Sequence, residues 1–379
     1  MKNKWQYRKI GDVCVVERGS SPRPIDQFIT EDGGGINWIK IGDTTESMYI
    51  TETAQKIKPE GMKKSRYVEP GDFLLSNSMS FGRPYILKID GCIHDGWLVL
   101  KDKDEIFDKR FLYYYLSSKA TYQKFKHMAV GGVVNNLNSE MVRKIDVPVP
   151  SKDEQMDTAD LLDKICNIIS LRKRELNCLD DLIRARFVEL FGDMFLNTMS
   201  WNEEPLEEMA NVVSGITKGR KLKAQCTTEV PYMAVSNVKD GYIDWTTVKT
   251  IEATEQEINQ YRLLPEDVLM TEGGDPDKLG RGAIIKEPLE NCIHQNHIFR
   301  VRLNATVILP EFFAEYLRHQ KSKRYFLGCA KQTTGIASIN MRQLKALPVL
   351  LPPLELQNQF ADFVKVVDKS KFTKTFRPL

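Results

Sequence analysis

An internal repeat constrains the fold most, because two related halves of one chain are expected to fold into two similar bodies. The halves align at a separation of roughly 200 residues. Pro70 in YVEPGDFLL corresponds to Pro265 in RLLPEDVLM, and His94 in GCIH corresponds to His294 in NCIH. Further segments pair at nearly the same separation: 111–116 with 312–317, 137–138 with 339–340, and 147–155 with 349–357.

Each half has the pattern of an α+β domain. Short runs of β-branched and aromatic residues are separated by Gly, Pro and Asn, and a helical pattern follows near 108–126 in the first half and 310–327 in the second. A polar loop with glycine and another apolar run complete each half. The sequence therefore predicts two tandem α+β domains, at 1–150 and 193–350.

A long helix is predicted between the two domains. Pro148 and Pro150 end the first domain, and neither Gly nor Pro occurs from Lys152 to Phe191. At about 1.5 Å per residue this helix would span roughly 60 Å, which is too long for the interior of one small domain. We therefore predict a helical spacer at 151–192 that joins the domains.

Apolar residues in this spacer recur at steps of three and four, which indicates a coiled-coil seam. A second, shorter amphipathic helix is predicted at 351–372, followed by a tail at 373–379 without periodicity. The residues expected to form the seam and a subunit interface are Leu162, Ile165, Ile169, Leu176, Leu179, Ile183, Phe187 and Leu190 in the first spacer, and Phe360, Phe363 and Val367 in the second.

Composition excludes several classes of protein. We find no apolar run of roughly 18 residues that could span a membrane and no signal-peptide core, so a cytoplasmic location is expected. The 7 cysteines form no CxxC pair and are interpreted as reduced thiols. A net charge of only +3 means that any nucleic-acid site must be local.

Catalytic and metal-binding motifs are scarce. There is no GxGxxG or GxxxxGK[ST] cradle for a nucleotide or S-adenosylmethionine, and no Asn/Asp-Pro-Pro-aromatic motif of an adenine methyltransferase. The pairs Cys92/His94 and Cys292/His294, even with His297, supply too few nearby ligands for a metal. The histidines are interpreted either as strand-end turn residues or as contacts to bases or phosphates.

Polar loops at matching positions of the two halves are candidates for reading bases. Arg and Lys suit guanine, Asn and Gln suit adenine, and Ser or Thr suits either. The loops match in position but differ in content, as expected of two related readers of different sequences, although turns are generally rich in such residues. The candidate DNA-contacting residues are Arg18, Ser20, Arg23, Asn77, Ser78, Arg83, His94, Asn135 and Asn136 in the first half, and Lys218, Arg220, Lys221, Lys278, Arg281, Gln295, Asn296, His297, Lys331, Gln332 and Thr333 in the second.

The order of these motifs resembles the specificity subunit of type I restriction-modification enzymes, over nearly the whole chain. Each half opens on a tryptophan, Trp5 in WQYRKIGD and Trp201 in WNEEPLEE. Each contains a PGD or PED turn, and each closes on prolines followed by a glutamine, Gln155 or Gln357. The sequence FGD at 191–193 closes the central helix.

This resemblance implies that each domain reads one part of a split target in double-stranded DNA, and that the helical spacers set the gap between the parts. It also implies that the spacers pair as an antiparallel coiled coil and dock modification subunits, which carry S-adenosylmethionine and methylate adenine. Restriction (motor-nuclease) subunits that use ATP and Mg²⁺ would complete the complex. This chain would bind no cofactor and contribute no catalytic residue.

The second spacer departs from the family pattern, because it stops near Lys369, roughly 20 residues short of the length that the resemblance implies. We therefore expect Leu179, Ile183, Phe187 and Leu190 to be exposed and available to another chain, either through dimerisation or through a partner subunit. Two alternatives use the same sequence features: a specificity subunit of a bipartite type IIB system, and a coiled-coil scaffold whose domains bind proteins.

Overall fold

The structure is a computed structural model that describes residues 5–77, 81–102, 104–129, 136–220, 226–275, 279–333 and 336–373. The chain divides into two compact units, Met1–Leu171 and Arg172–Leu379. The boundary lies within the helix Lys152–Phe191. The first half of this helix belongs to the first unit and its second half to the second unit, so the helix is not a separate domain. The predicted limits of the domains, 1–150 and 193–350, stay a prediction.

The first unit combines short strands with short helices. Its strands are β1 Tyr7–Lys9, β2 Cys14–Arg18, β3 Ile29–Thr30, β4 Ile36–Ile39, β5 Tyr49–Ile50, β6 Lys56–Ile57, β7 Arg66–Val68, β8 Phe73–Ser76, β9 Pro84–Leu87, β10 Gly91–Ile93, β11 Trp97–Asp102 and β12 Asp146–Pro148. Its helices are α1 Ile10–Val13, α2 Pro59–Met62, α3 Lys109–Ser117, α4 Lys119–Ala129, α5 Ser139–Arg143 and the first half of α6 Lys152–Phe191.

Two five-stranded sheets build the first unit. One has the order β2-β11-β8-β9-β5, in which β11 is antiparallel to both β2 and β8. The residues of β11 from Trp97 to Leu100 are all buried, as expected for a central strand covered on both faces. The other sheet has the order β3-β6-β4-β10-β7. A two-stranded pair, β1 with β12, joins the beginning of the unit to its end.

The second unit repeats this arrangement. Its strands are β13 Asn202–Pro205, β14 Ala210–Ser214, β15 Thr228–Met233, β16 Lys249–Ala253, β17 Val268–Thr271, β18 Gly273–Gly274, β19 Gly282–Ile284, β20 Ile293–His294, β21 Ile298–Leu303, β22 Lys331–Thr333, β23 Ile336–Ser338 and β24 Pro348–Leu351. Its helices are α7 Glu255–Tyr261, α8 Pro310–Arg318, α9 Gln320–Cys329, α10 Met341–Lys345 and α11 Leu354–Thr373, together with the second half of α6.

Corresponding sheets confirm the predicted duplication. The antiparallel order β14-β21-β17-β19 reproduces β2-β11-β8-β9, and the pair β13 with β24 reproduces β1 with β12. The parallel pairing of β20 with β15 likewise reproduces that of β10 with β4. The predicted fold class, two tandem α+β domains with helical spacers, is therefore confirmed.

A buried glutamine holds the start of each spacer helix against its own domain. The side-chain amide of Gln155 donates to the carbonyls of Pro150 (3.0 Å) and Ile106 (3.1 Å), and its oxygen accepts from the backbone N–H of Asp108 (2.8 Å). The corresponding bonds of Gln357 reach Pro352 (2.9 Å), Val307 (3.1 Å) and Leu309 (2.9 Å). The glutamine that closes each half is therefore an anchor of the helix.

The second half of α6 pairs with α11 inside the second unit. Near the end of α6, the Phe187 ring lies 5.3 Å from that of Phe360. Nearer its middle, Asp180 forms an ion pair of 2.7 Å with Lys371, whose carbonyl also accepts from Arg172 at 2.8 Å. Because the contacts advance along α11 as they go back along α6, the two helices are antiparallel.

This pairing corrects the prediction for the exposed part of the seam. Ile183 and Phe187 are buried and Leu179 and Leu190 are partly buried in the core of the second unit, so the expectation that these four are exposed is wrong. The physical reason is the register of α11, which begins beside the end of α6 and runs back over its second half. Phe360 and Val367 are buried in the same core, against which Phe363 packs, and are not free for another chain.

A cluster of exposed apolar residues lies on the first half of α6, although Leu182 and Val188 on its second half are exposed as well. Leu161, Ile165, Ile168 and Ile169 are exposed, and we call them the α6 stripe. At about 100° per residue they share one side of the helix, away from the buried Ala159. In the part of the chain that the structure describes, no helix combines the length and apolar character needed to cross a membrane.

Candidate functional site

The candidate site of the first unit is built around the turn between β10 and β11. Arg18, at the end of β2, donates from Nε to the carbonyl of Asp95 (3.0 Å). The amide of Asn77, which follows β8, donates to the same carbonyl (2.8 Å), and the hydroxyl of Ser21 donates to Oδ1 of Asp95 (3.0 Å). Asp95 thus ties together three loops at one end of the sheet.

Gly19 allows this close approach of the loops. A Cβ atom at this position would lie 2.1 Å from the carbonyl oxygen of His94, so any other residue would push the loop after β2 away from the β10–β11 turn. The glycine in the predicted Arg18–Arg23 loop therefore has a packing role, and it places Ser21 and Arg23 beside Asp95.

A cleft of about 770 Å³ opens beside this turn. Ligand sites of this size commonly combine an apolar wall with a few convergent polar groups. The apolar wall contains Trp38, Ile25 and Ile29, and the polar groups are Ser21, Arg23, Asp26, Lys40, Gln55, His94 and Asp95. Arg23 pairs loosely with Asp95 at 3.6 Å, and its side chain is 83% exposed.

His94 is one of the residues that line the cleft. Its Nδ1 accepts from the backbone N–H of Gly96 at 2.6 Å, so the proton of the neutral ring is on Nε2. Burial lowers the pKa of His94 below its ordinary value, which favours this neutral form. Among the described residues Nε2 has no hydrogen-bond partner.

Of the residues predicted in the first half, Arg18, Ser20, Arg23 and His94 lie together beside the β10–β11 turn. Asn77 is only 2% exposed and its amide holds the Asp95 carbonyl, so the structure contradicts its assignment as a base contact. The exposed Arg83 and Asn136 adjoin the end of β8, because Arg83 is hydrogen-bonded to Ser76 and the residue after Asn136 donates to Asn77. Ser78 and Asn135 lie outside the described residues.

The second unit places different side chains at the corresponding strand end. Asn77 after β8 corresponds to Glu272 after β17, because each makes the same backbone hydrogen bond to the turn before the central strand. The N–H of Asn77 donates to the carbonyl of Gly96, and the N–H of Glu272 donates to the carbonyl of His297, both at 3.0 Å. Glu272 Oε2 lies 2.6 Å from Nδ1 of the exposed His297. The same backbone position therefore carries a neutral amide in one unit and a carboxylate with a histidine in the other.

The remaining predicted residues of the second unit are spread over several environments. Gln295 and Asn296 are half-buried beside His297, and Gln295 accepts from the backbone N–H of Val235. Lys218 and Lys331 are exposed, Arg281 is half-buried, and Gln332 and Thr333 lie in β22 with side chains outside the description. Lys221 and Lys278 lie outside the described residues.

Arg220 is engaged within the protein. Its guanidinium makes two hydrogen bonds, of 2.5 and 2.6 Å, to the carboxylate of Glu257, and it lowers the pKa of Glu257 to about 2. The structure therefore does not support the prediction that Arg220 contacts DNA, because its charge is already paired with the start of α7.

His294 is structural, unlike its counterpart His94. Its ring is fully buried, with Nδ1 3.1 Å from the carbonyl of Tyr261 and Nε2 3.3 Å from that of Val213. Burial lowers the pKa of His294 from 6.5 to about 4. Of the two interpretations of the histidines, the turn residue fits His294.

We expect His294 to make the second unit sensitive to mild acid. Below pH 6.5 the histidine binds a proton in the unfolded chain but stays neutral in the folded one. The stability of the fold is therefore unaffected by this group above pH 6.5 and decreases as the pH falls from 6.5 towards 4. Between pH 7 and pH 5 the loss is about 2 kcal/mol in the free energy of unfolding, which urea titration followed by hydrogen exchange in this unit measures.

A His294→Gln variant is the control for this prediction, because most carboxylates titrate below this interval. The part of the pH dependence due to His294 should disappear in the variant. An identical pH dependence in the variant and the unaltered chain would contradict the assignment.

The fold and the loops define a class of protein: a tandem repeat of one scaffold that presents different polar side chains at the same place in each copy. A family model described as "Type I restriction modification DNA specificity domain" matches residues 2–180 and 199–376. The chain belongs to this family and carries two copies of its domain, which confirms the resemblance seen in the sequence.

Relatives of known identity agree with this assignment. The type I restriction enzyme EcoKI specificity subunit of Escherichia coli strain K12 is 22% identical over 346 residues, which cover 86% of this chain and 72% of that protein. The MjaVIII specificity subunit of Methanocaldococcus jannaschii is 23% identical over 389 residues, covering 96% of this chain and 86% of that protein.

Solved structures show the same fold. The crystal structure of a type I restriction-modification S subunit from M. genitalium has a TM-score of 0.54 at 16% identity and covers 98% of this chain and 92% of its own. A structure reported for the assembly and conformational transition of a type I system has a TM-score of 0.54 at 14% identity, with the same coverage.

Sequence reasoning missed Asp95 and Glu272, which occupy the centre of each loop cluster. The predicted base contacts are mainly basic and amide side chains, whereas carboxylates also read bases by accepting from amino groups. The available signal was position, because Asp95 directly follows the predicted His94 and Glu272 directly follows a buried strand.

Proposed function

We propose that this chain is a non-catalytic DNA specificity subunit that reads a bipartite target in double-stranded DNA, one half-site per domain. The observation that carries the proposal is the pair of corresponding turns before the central strands, which expose Asp95 in one unit and His297 in the other. A duplicated scaffold with altered contact residues suits the recognition of two different sequences by one geometry.

Exposed cations near the loops supply the expected phosphate contacts. Arg18, Arg23 and Arg83 in the first unit and Lys218 and Lys331 in the second are all exposed. Phosphate contacts fix the position of a protein on DNA without carrying sequence information, and a few of them suffice when partner subunits share the binding. The small net charge of +3 is compatible with few phosphate contacts in this chain and further ones in the partner subunits.

In this proposal the chemistry belongs to partner subunits. The modification (methyltransferase) subunits bind S-adenosylmethionine, the restriction subunits use ATP and Mg²⁺, and this chain binds none of the three. The support is the family membership and the specificity-subunit names of its relatives. The α6 stripe is the proposed docking surface for a modification subunit, and a second copy of the chain is the alternative occupant.

The test is co-expression with the neighbouring modification subunit, followed by genome-wide mapping of adenine methylation. A bipartite methylated motif that requires this chain is the expected result. Substituting Arg83 and Lys331 with alanine should weaken methylation of every target about equally, because phosphate contacts do not distinguish bases. A chain that co-purifies with other proteins, yet neither binds DNA nor directs methylation, would favour the scaffold alternative.

A further inference from the structure

Two adjacent residues that line the cleft of the first unit, His94 and Asp95, are a hydrogen-bond donor and a hydrogen-bond acceptor. His94 lines it with the proton of its neutral ring on Nε2, because Nδ1 already accepts from Gly96. Asp95 lines it with a carboxylate whose side chain is 46% exposed. The two residues are adjacent in the turn that Arg18 and Asn77 hold in place.

The carboxylate keeps capacity for another bond. Oδ1 accepts from Ser21 and Oδ2 pairs at 3.6 Å with Arg23, whereas a carboxylate offers about four acceptor positions. Burial opposes the ionisation of Asp95, but the hydrogen bonds from Ser21 and the backbone and the nearby charge of Arg18 together outweigh it, and the pKa of Asp95 lies below its ordinary value. Asp95 is therefore an acceptor only.

Base edges in the major groove differ in which groups they present. Adenine offers an acceptor, N7, beside a donor, the 6-amino group, whereas guanine offers two acceptors, cytosine a donor and thymine an acceptor with a methyl group. Adenine thus matches a donor and an acceptor held side by side. We propose that His94 and Asp95 read one adenine of the first half-site, with His94 donating to N7 and Asp95 accepting from the 6-amino group.

The surroundings favour such a contact. The wall of Trp38, Ile25 and Ile29 shields the cleft, and hydrogen bonds gain strength where water is partly excluded. Arg23, exposed at the rim, is within reach of a phosphate. The inference rests on the proposed function, since it specifies what one DNA-reading turn recognises.

The second unit does not repeat this pair at the corresponding residues, 294 and 295. Both ring nitrogens of His294 face backbone carbonyls in the interior, and the residue that follows it is Gln295. The histidine and carboxylate at this end of the second unit, His297 and Glu272, are bound to each other at 2.6 Å. The adjacent pair of His94 and Asp95 therefore belongs to the first domain, and substitutions in it should alter only one half of the target.

The decisive variant is Asp95→Asn, tested in the complete chain co-expressed with the modification subunit. An amide presents either its oxygen or its amino group, so it can accept from adenine or donate to O6 of guanine, and N7 is common to both purines. The expected result is that one adenine position of the first half-site relaxes to adenine or guanine, while the second half-site is unchanged. Asp12→Asn, an exposed change of equal charge in the same unit, is the control.

A second variant separates reading from folding. His94→Phe keeps an aromatic ring near Trp38 and Trp97, whose centroids lie 6.3 and 6.5 Å away, but removes the donor to N7. Methylation should fall about tenfold at all targets without a change of base preference, since one bond of a bidentate pair is lost.

The outcomes are distinguishable. A bipartite motif that is unchanged by Asp95→Asn, or that changes at a cytosine or in the second half-site, would overturn the adenine assignment and leave the specificity function intact. Failure of the unaltered chain to direct any bipartite methylation would overturn the proposed function itself.

Discussion

Replacing Ile165 and Ile168 together with aspartate is expected to abolish co-purification with the modification subunit while the chain stays folded. The two side chains are 42% and 64% exposed, so the charges remain hydrated in the free chain. In a complex, each charge would be buried against an apolar partner surface, which is costly. A loss of at least about a hundredfold in affinity is expected if the stripe contains the main contacts.

The matched control is Asn167→Asp with Ser170→Asp, which adds the same charge to exposed positions off the stripe. Affinity measured by pull-down and titration calorimetry should be nearly unchanged in this control. Equal binding by the stripe variant and the unaltered chain would contradict the docking proposal. If sedimentation instead shows that the unaltered chain is a dimer and the stripe variant is a monomer, a second copy of the chain covers the stripe.

The sequence predicted the architecture because its signals are local or repeated. The duplication predicts two corresponding sets of strands. The absence of Gly and Pro from residues 152–191 predicts one long helix, and the structure has α6 at Lys152–Phe191. The covered part of the seam could not be predicted, because it depends on the register of α11 along α6 and not only on the antiparallel direction that the resemblance implies. Both seam halves are apolar, and only the antiparallel contacts of Asp180 and Phe187 show which one is buried.

The site was predictable in place but only partly in detail. Loop positions follow from strand ends, and the structure places Arg18, Arg23 and His94 beside one turn. Their contact with DNA stays a prediction. Burial and ion pairing cannot be read from residue type, and for this reason Asn77 and Arg220 were assigned to DNA although each is engaged within its domain. The structure also changes the interpretation of glutamines 155 and 357, which are family markers in the sequence and helix anchors in the fold.

Phe187→Ala is expected to lower the free energy of unfolding of the second unit by about 3–5 kcal/mol, the usual cost of a cavity left by a buried aromatic side chain. The Phe187 ring is 1% exposed and lies 5.3 Å from Phe360 and 5.4 Å from Phe312, so its loss removes contacts with both α11 and α8. Urea unfolding followed by hydrogen exchange in the second unit measures the change.

Ile165→Ala on the same helix is the matched comparison, and we expect it to change the free energy of unfolding by less than about 1 kcal/mol because half of this side chain is already in water. The two variants should therefore separate the roles of one apolar seam: Phe187 stabilises the second unit, and Ile165 serves a partner. Similar destabilisation by both would mean that the first half of α6 is also covered within the chain, and the α6 stripe would then no longer be available as a docking surface.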